Sequence, residues 1–209
     1  AGFSRDKIKN KSADKSSKIN NNNYELINNE EEINNWLTEA EEKGEIAIDT
    51  ETTSLDPHQA ELVGISLSTA IGKSCYIPLG HKTGKNLNEK NIIKKIKPVL
   101  EDKSIKKIGQ NIKFDFIVLF KNGITMSAME DTMLMSYVLD AGKNRHNMDK
   151  LSEIHLGHKT ISFKEIVGAG KKQINFSEVE IDKAKDYAAE DADITFRLYK
   201  KFIKNLKLE

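Results

Sequence analysis

The sequence predicts an α/β fold, a mixed five-stranded sheet flanked by helices. Three observations carry this. Short runs of alternating apolar residues, the mark of half-buried strands, occur at residues 45–49, 62–68 and 74–78 with short connections between them. Two later β-runs, at 106–109 and 125–129, are separated by helical patterns, as crossover connections between parallel strands require. Apolar residues then recur at helical spacing through the last 30 residues.

Taken in order, residues 1–23 are rich in Lys, Ser and Asn and poor in apolar residues, which predicts a flexible basic and polar linker before a folded domain at 24–209. Ile33, Trp36, Leu37 and Ala40 fall on one face of a helix that stops at Gly44. The first β-run, Glu45 to Asp49, follows directly. The second and third are joined by a turn at Gly72, and Cys75 sits inside the third as a buried strand residue. Ile92, Ile93, Ile96, Val99 and Leu100 mark a helix with Pro98 near its end. A helix over Ile112–Lys121 closes at Asn122-Gly123, and another starts at Asp131. The final helix places Tyr187, Asp191, Ile194 and Leu198 on one face. No internal repeat is present.

Composition narrows the classes. A chain of 209 residues with 38% hydrophobic and 31% charged content suits one globular domain with a sizeable core. No apolar run approaches the roughly 18 residues that span a bilayer, and no secretory pattern opens the chain. The single cysteine excludes an internal disulfide and argues against a cysteine zinc site, so a reducing, cytoplasmic setting is expected. His58, His81, His146, His155 and His158 show no zinc spacing and are assigned to surface or packing roles. Residues 1–22 carry six Lys/Arg against two Asp, leaving 27 Lys/Arg against 30 Asp/Glu in the body. A dedicated duplex-DNA binder would carry a basic domain instead.

The chemistry-bearing residues are acids. Asp49 and Glu51, two apart on a β-run, project from the same face, and hard carboxylate oxygens select Mg²⁺ or Mn²⁺. Alone, this pair is a weak signal, since an Asp-x-Glu at a strand end is more often ordinary solvated surface. Asp115 follows Gly109-Gln110-Asn111 at a strand-to-helix junction, where a helix-stabilising acid is the simpler reading. Tyr187 and Asp191, four apart, share a helix face, whereas Glu190 and Asp193 are expected on a solvated one.

As an ordered set these residues resemble the DEDD-type exonucleases, in the subclass with tyrosine. The stretches Ile48–Asp56, Lys107–Asp115, Arg145–Leu151, His158–Phe163 and Tyr187–Asp193 resemble the proofreading domain of the bacterial DNA polymerase I family, over about Tyr24 to Phe202. The resemblance implies a ribonuclease H-like sheet and a two-metal 3′→5′ exonuclease domain over 24–209, acting on single-stranded or frayed DNA 3′ ends and releasing nucleoside 5′-monophosphates. It implies that Asp49, Glu51, Asp115 and Asp191 hold two divalent ions, Mg²⁺ or Mn²⁺, with Asp49 bridging them. Tyr187 would orient the nucleophile. Leu55 and Phe163 would wedge against terminal bases, and Gln110, Asn111, Phe114 and Arg145 would touch the strand. Phe114 stands where the family often has tyrosine.

The implied partners are a DNA 3′ end and a polymerase domain in the same parent chain, with no membrane; the domain itself is expected to be monomeric and to work in the bacterial nucleoid. Two rival readings accompany this one. One is a stand-alone RNA exonuclease of the ribonuclease D type, against which the Arg145–Phe163 block argues. The other is a silent polymerase scaffold, against which the presence of all four acids argues.

Overall fold

The computed structural model describes Ile19 and residues 23–206. Apart from Ile19 and Asn23, the expected linker therefore lies outside the described residues. Six strands form one sheet: β1 (Tyr24–Leu26), β2 (Glu45–Thr52), β3 (Leu62–Ala70), β4 (Lys73–Pro78), β5 (Lys106–Gly109) and β6 (Met129–Asp131). Their spatial order is β1-β4-β3-β2-β5-β6. The β2-β3-β4 meander is antiparallel, while β5 and β6 run parallel to β2. All five expected strands are present. The sixth, β1, adds a parallel edge to β4 and carries the Tyr24 hydroxyl to Asp193 at 2.8 Å. β6 lies later than the expected 125–129, because Ser127 N–H is drawn out of the strand to Leu100 O at 3.2 Å.

The helices are α1 (Glu32–Lys43), α2 (Glu89–Glu101), α3 (Lys113–Lys121), α4 (Thr132–Asp140), α5 (Met148–Leu156), α6 (Phe163–Val167) and α7 (Ile181–Leu206). Strand alternation divides them between two layers. Ile46 and Ile48 of β2 face the core built with α1, α2 and α3, where Ile33, Trp36, Ile92 and Ile96 are buried. Ala47 faces the opposite side, under α7 with Ile194 and Leu198. By the same period-2 rule Asp49 and Glu51 emerge on the α7 side and Thr50 on the α3 side. Among the described residues, no helix is long and apolar enough to cross a membrane.

Helix α7 departs from the expectation in one respect. It crosses the sheet so closely that Ala188, Ala189 and Ala192 are fully buried, and the acids between them go with them. Glu190 is 1% exposed and Asp193 fully buried, so neither lies on a solvated face. Each is satisfied by distant partners. Asp193 accepts from Tyr24, from Gly72 N–H at 2.7 Å and from Arg197 at 3.0 Å. Glu190 meets His158 and the backbone of Ile161.

Gly64, opposite Glu51 in the β2–β3 register, is required by close approach. A Cβ there would stand 2.1 Å from the Tyr76 hydroxyl oxygen. The ring has little room to recoil, being fully buried and bonded to His81 Nε2 at 2.7 Å. Gly64→Ala is therefore expected to cost about 1–3 kcal/mol as overpacking, lowering the melting temperature by several degrees in a thermal unfolding scan. An unchanged melting temperature would show that Tyr76 can move.

Candidate functional site

The carboxyl-terminal end of β2 and the middle of α7 meet in a cleft of about 520 Å³. Asp49, Glu51 and Asp191 line it, with one carboxylate oxygen of each inside a 4.8 Å cluster. Tyr187, one helical turn before Asp191, lines the cleft and donates its hydroxyl hydrogen to Asp191. Asp115 stands apart from this trio. It lies in the first turn of α3, and its Oδ1 accepts from Thr50 N–H at 2.9 Å and from the Thr50 hydroxyl at 2.6 Å. The strand residue between the two acids is thus the one that holds the third acid in place.

The electrostatics are those of crowded, buried anions. Burial, then Asp191, pushes the Asp49 carboxyl well above the usual carboxylate range. Burial likewise raises Glu51, reinforced by Asp49, Asp191 and Asp115. Asp115 is raised by burial and Asp49 against the pull of its Thr50 hydrogen bonds. Asp191 is raised by burial against its bond from Tyr187, with Glu190 and Asp149 adding to the rise. The Tyr187 phenol is likewise held far above its ordinary value, by burial first and then by Asp191, Glu51 and Asp49. It is therefore a hydrogen-bond donor at neutral pH and not a base.

A divalent cation fits this set. Among the described residues no Lys or Arg lines the cleft to neutralise three carboxylates. Glu51 Oε1 is buried without any hydrogen-bond partner, an arrangement that is costly unless something positive occupies the space. All donors are hard oxygens, which suits Mg²⁺ or Mn²⁺.

The remaining expected residues separate into two groups. Leu55, 90% exposed, and Phe163, partly exposed, line the cleft together with Phe114. Phe163 stacks on Phe176 at 6.3 Å between ring centres, and Phe176 in turn contacts Tyr187 at 6.0 Å. Gln110, Asn111 and Arg145 do not line the cleft. Gln110 spends its amide internally, donating to His146 O at 2.8 Å and accepting from Thr132. Asn111 is exposed, with a left-handed φ of 59°, its N–H bonded to Asp131 at 3.0 Å. Arg145 lines an adjoining hollow that shares Asp149 with the cleft. His81 and His146 are buried packing residues, as expected.

Sequence reasoning missed Met148, Asp149, Asn175 and Phe176, all of which line the cleft. Phe176 and Asn175 sit on a short turn whose only sequence signal was the capping pattern from Asn175 to Glu178. Asn175 ties this turn to the end of β2 through Thr53 O at 2.8 Å.

A family model described as 3′-5′ exonuclease matches residues 24–207. The chain belongs to this family. The exonuclease domain is also 43% identical over 187 aligned residues to a DNA polymerase I of Rhizobium leguminosarum, an alignment covering 80% of this chain and 18% of that protein. The chain thus spans only a small share of the relatives it matches. Among solved structures, Escherichia coli RNase D, an exoribonuclease involved in structured RNA processing, aligns with a TM-score of 0.68 at 16% identity, covering 89% of this chain and 46% of that one. Brucella melitensis NrnC with bound Mg²⁺ aligns at 0.63 and 24% identity, covering 88% and 81%. At these identities the likeness establishes the ribonuclease H-like fold of the exonuclease domain and nothing more specific.

Proposed function

We propose that the domain hydrolyses phosphodiester bonds at single-stranded or frayed DNA 3′ ends, one nucleotide at a time, with two divalent ions held by Asp49, Glu51, Asp191 and Asp115. The observation that carries this reading is the buried three-carboxylate cluster beside Tyr187 in a chain of the exonuclease family. Bound Mg²⁺ or Mn²⁺ would supply a hydroxide nucleophile and stabilise charge on the attacking and leaving oxygens.

The chain's own residues do the rest. Tyr187, protonated, would orient the attacking water through its hydroxyl oxygen, which can accept a hydrogen bond from the water beside Asp191. Leu55 on one lip and Phe163 on its aromatic support grip the terminal bases by stacking and apolar contact, which tolerates any base. Such indifference to sequence is what an editor of mispairs needs. Arg145, from the hollow adjoining the cleft, and Asn111 would touch the strand beyond the terminal nucleotide; Gln110 would contribute through the His146 loop it holds. The near-neutral body grips nucleic acid weakly, which suits a domain fed with frayed ends by a polymerase module of the same parent chain, in the bacterial nucleoid. The domain by itself is monomeric on this reading.

The substrate assignment leans on the 43% identity to a DNA polymerase I, set against 16% to RNase D. Matched single-stranded DNA and RNA oligomers, incubated with Mg²⁺ or Mn²⁺, test it. The expected result is release of deoxynucleoside 5′-monophosphates from the 3′ end, faster than ribonucleotides. Faster RNA turnover would move the domain to the ribonuclease D reading, and no mononucleotides with either metal would leave it a scaffold.

A further inference from the structure

The mechanism above uses Asp191 but not its buried neighbour Glu190. Glu190 is 1% exposed, yet it is not idle in the core. Its two carboxylate oxygens reach out of α7 to the irregular segment before α6. Oε1 meets His158 Nε2 at 2.9 Å, and Oε2 accepts from Ile161 N–H at 2.6 Å. Between them, Thr160 donates its hydroxyl hydrogen to Asp149 of α5 at 2.8 Å. Two residues after Ile161 comes Phe163, the first residue of α6 and part of the cleft wall.

We infer that Glu190 is a positioning residue that sets the Phe163 wedge against the bases of the substrate. Residues 157–162 have no regular backbone pairing of their own. Its ends are tied by backbone bonds from Gly157 and His158 to the end of α5 and by Ser162 to Glu165 of α6; its middle is placed by side chains, Ser152 and Asp149 on α5 and Glu190 on α7. Glu190 adjoins Asp191 in sequence, so the metal-side acid and the base-side wedge are referred to the same turn of one rigid helix. An error in either would shift base and scissile phosphate relative to each other. A carboxylate suits this place because it accepts from a backbone N–H and a ring nitrogen at once, while burial restricts it to one geometry.

The inference rests on the exonuclease reading of the cleft, so one of its readouts is independent of activity. In Glu190→Ala, hydrogen exchange should accelerate at least about tenfold at Ile161 and across residues 158–167, with the β2 and α7 amides unchanged. Mononucleotide release from a single-stranded DNA oligomer should show KM raised about tenfold, the range expected for losing one base contact, with kcat within about twofold. Glu190→Gln, which keeps both the length and an acceptor, should restore most of the loss. Phe163→Ala should add little on top of Glu190→Ala, because both remove the same contact. If Glu190→Ala does not fold, Thr160→Val and His158→Ala loosen the same segment from the other side and should raise KM in the same way.

Unchanged exchange in 158–167, a fall confined to kcat, or additive effects of Glu190→Ala and Phe163→Ala would each overturn the inference. A parent chain that releases no nucleotides while Glu190→Ala still loosens 158–167 would leave the positioning role standing and remove the nuclease reading.

Discussion

Replacing Asp49 with alanine is expected to abolish metal-dependent nucleotide release, by roughly 10³-fold or more, without unfolding the domain. Asp49, half-buried, is one of three acids whose carboxylate oxygens lie within 4.8 Å of one another. Removing it leaves two of the three clustered carboxylates, one oxygen ligand short of the set that would hold the ion. The stability consequence runs the other way. Without metal, Asp49 is penalised by burial and by Asp191, so its deletion relieves strain, and the metal-free melting temperature should stay level or rise. Asp191→Ala should behave alike. Asp115→Ala should not: it strands the buried Thr50 N–H and hydroxyl that now bond Asp115, at a cost of about 1–3 kcal/mol. Nuclease assays with purified variants, paired with thermal unfolding in a chelator, check all three. Release above a tenth of the parent rate in Asp49→Ala, or a melting temperature many degrees lower, would contradict the assignment.

Much of this was legible in the sequence because the signals were local. The β2 acids, the strand-to-helix junction before Asp115 and the Tyr187–Asp191 spacing each lie within a few residues, and order along the chain made them jointly specific. What was missed depends on contacts between remote segments. The three residues of β1 are too short to show a period, and their place is fixed by Tyr24 reaching Asp193 across 169 positions. Glu190 and Asp193 looked solvated because polarity patterns cannot register a buried acid whose partners come from elsewhere. Gln110 looked available for the strand because nothing local announces His146 O and Thr132 as its partners. Phe176 was invisible as a support for Phe163 and Tyr187 until the chain closed the aromatic cluster.

A pH-dependent benefit of divalent metal is the second large expected effect. In the unfolded chain the site acids titrate near their ordinary values, about 3.9 for Asp and 4.3 for Glu. In the folded, metal-free domain Asp49, Glu51, Asp115 and Asp191 are all raised well above that range. Below the ordinary range both states are protonated and no penalty exists. As pH climbs past it, the unfolded state gives up its protons first, so ∂ΔG/∂pH is negative and the metal-free domain loses stability until the raised values are passed.

Groups outside the cluster slope differently. Glu39, held near a pKa of about 2 by Lys43 and Lys73, contributes stability that fades only as pH falls toward that value, below the window of interest. His81 and His155, both lowered mainly by burial, cost stability as pH falls through the ordinary histidine range, opposing the acids there. An Asp49→Asn/Asp191→Asn variant carries these groups unchanged, so subtracting its melting curve isolates the cluster. The difference should widen against the metal-free parent as pH rises above the ordinary carboxylate range. Mg²⁺ or Mn²⁺, which binds the ionised cluster and not the unfolded chain, should close that gap and raise the parent's melting temperature more at higher pH. A metal-induced shift independent of pH, or one equally large in the double variant, would mean that the cation binds elsewhere and that the cluster is not its site.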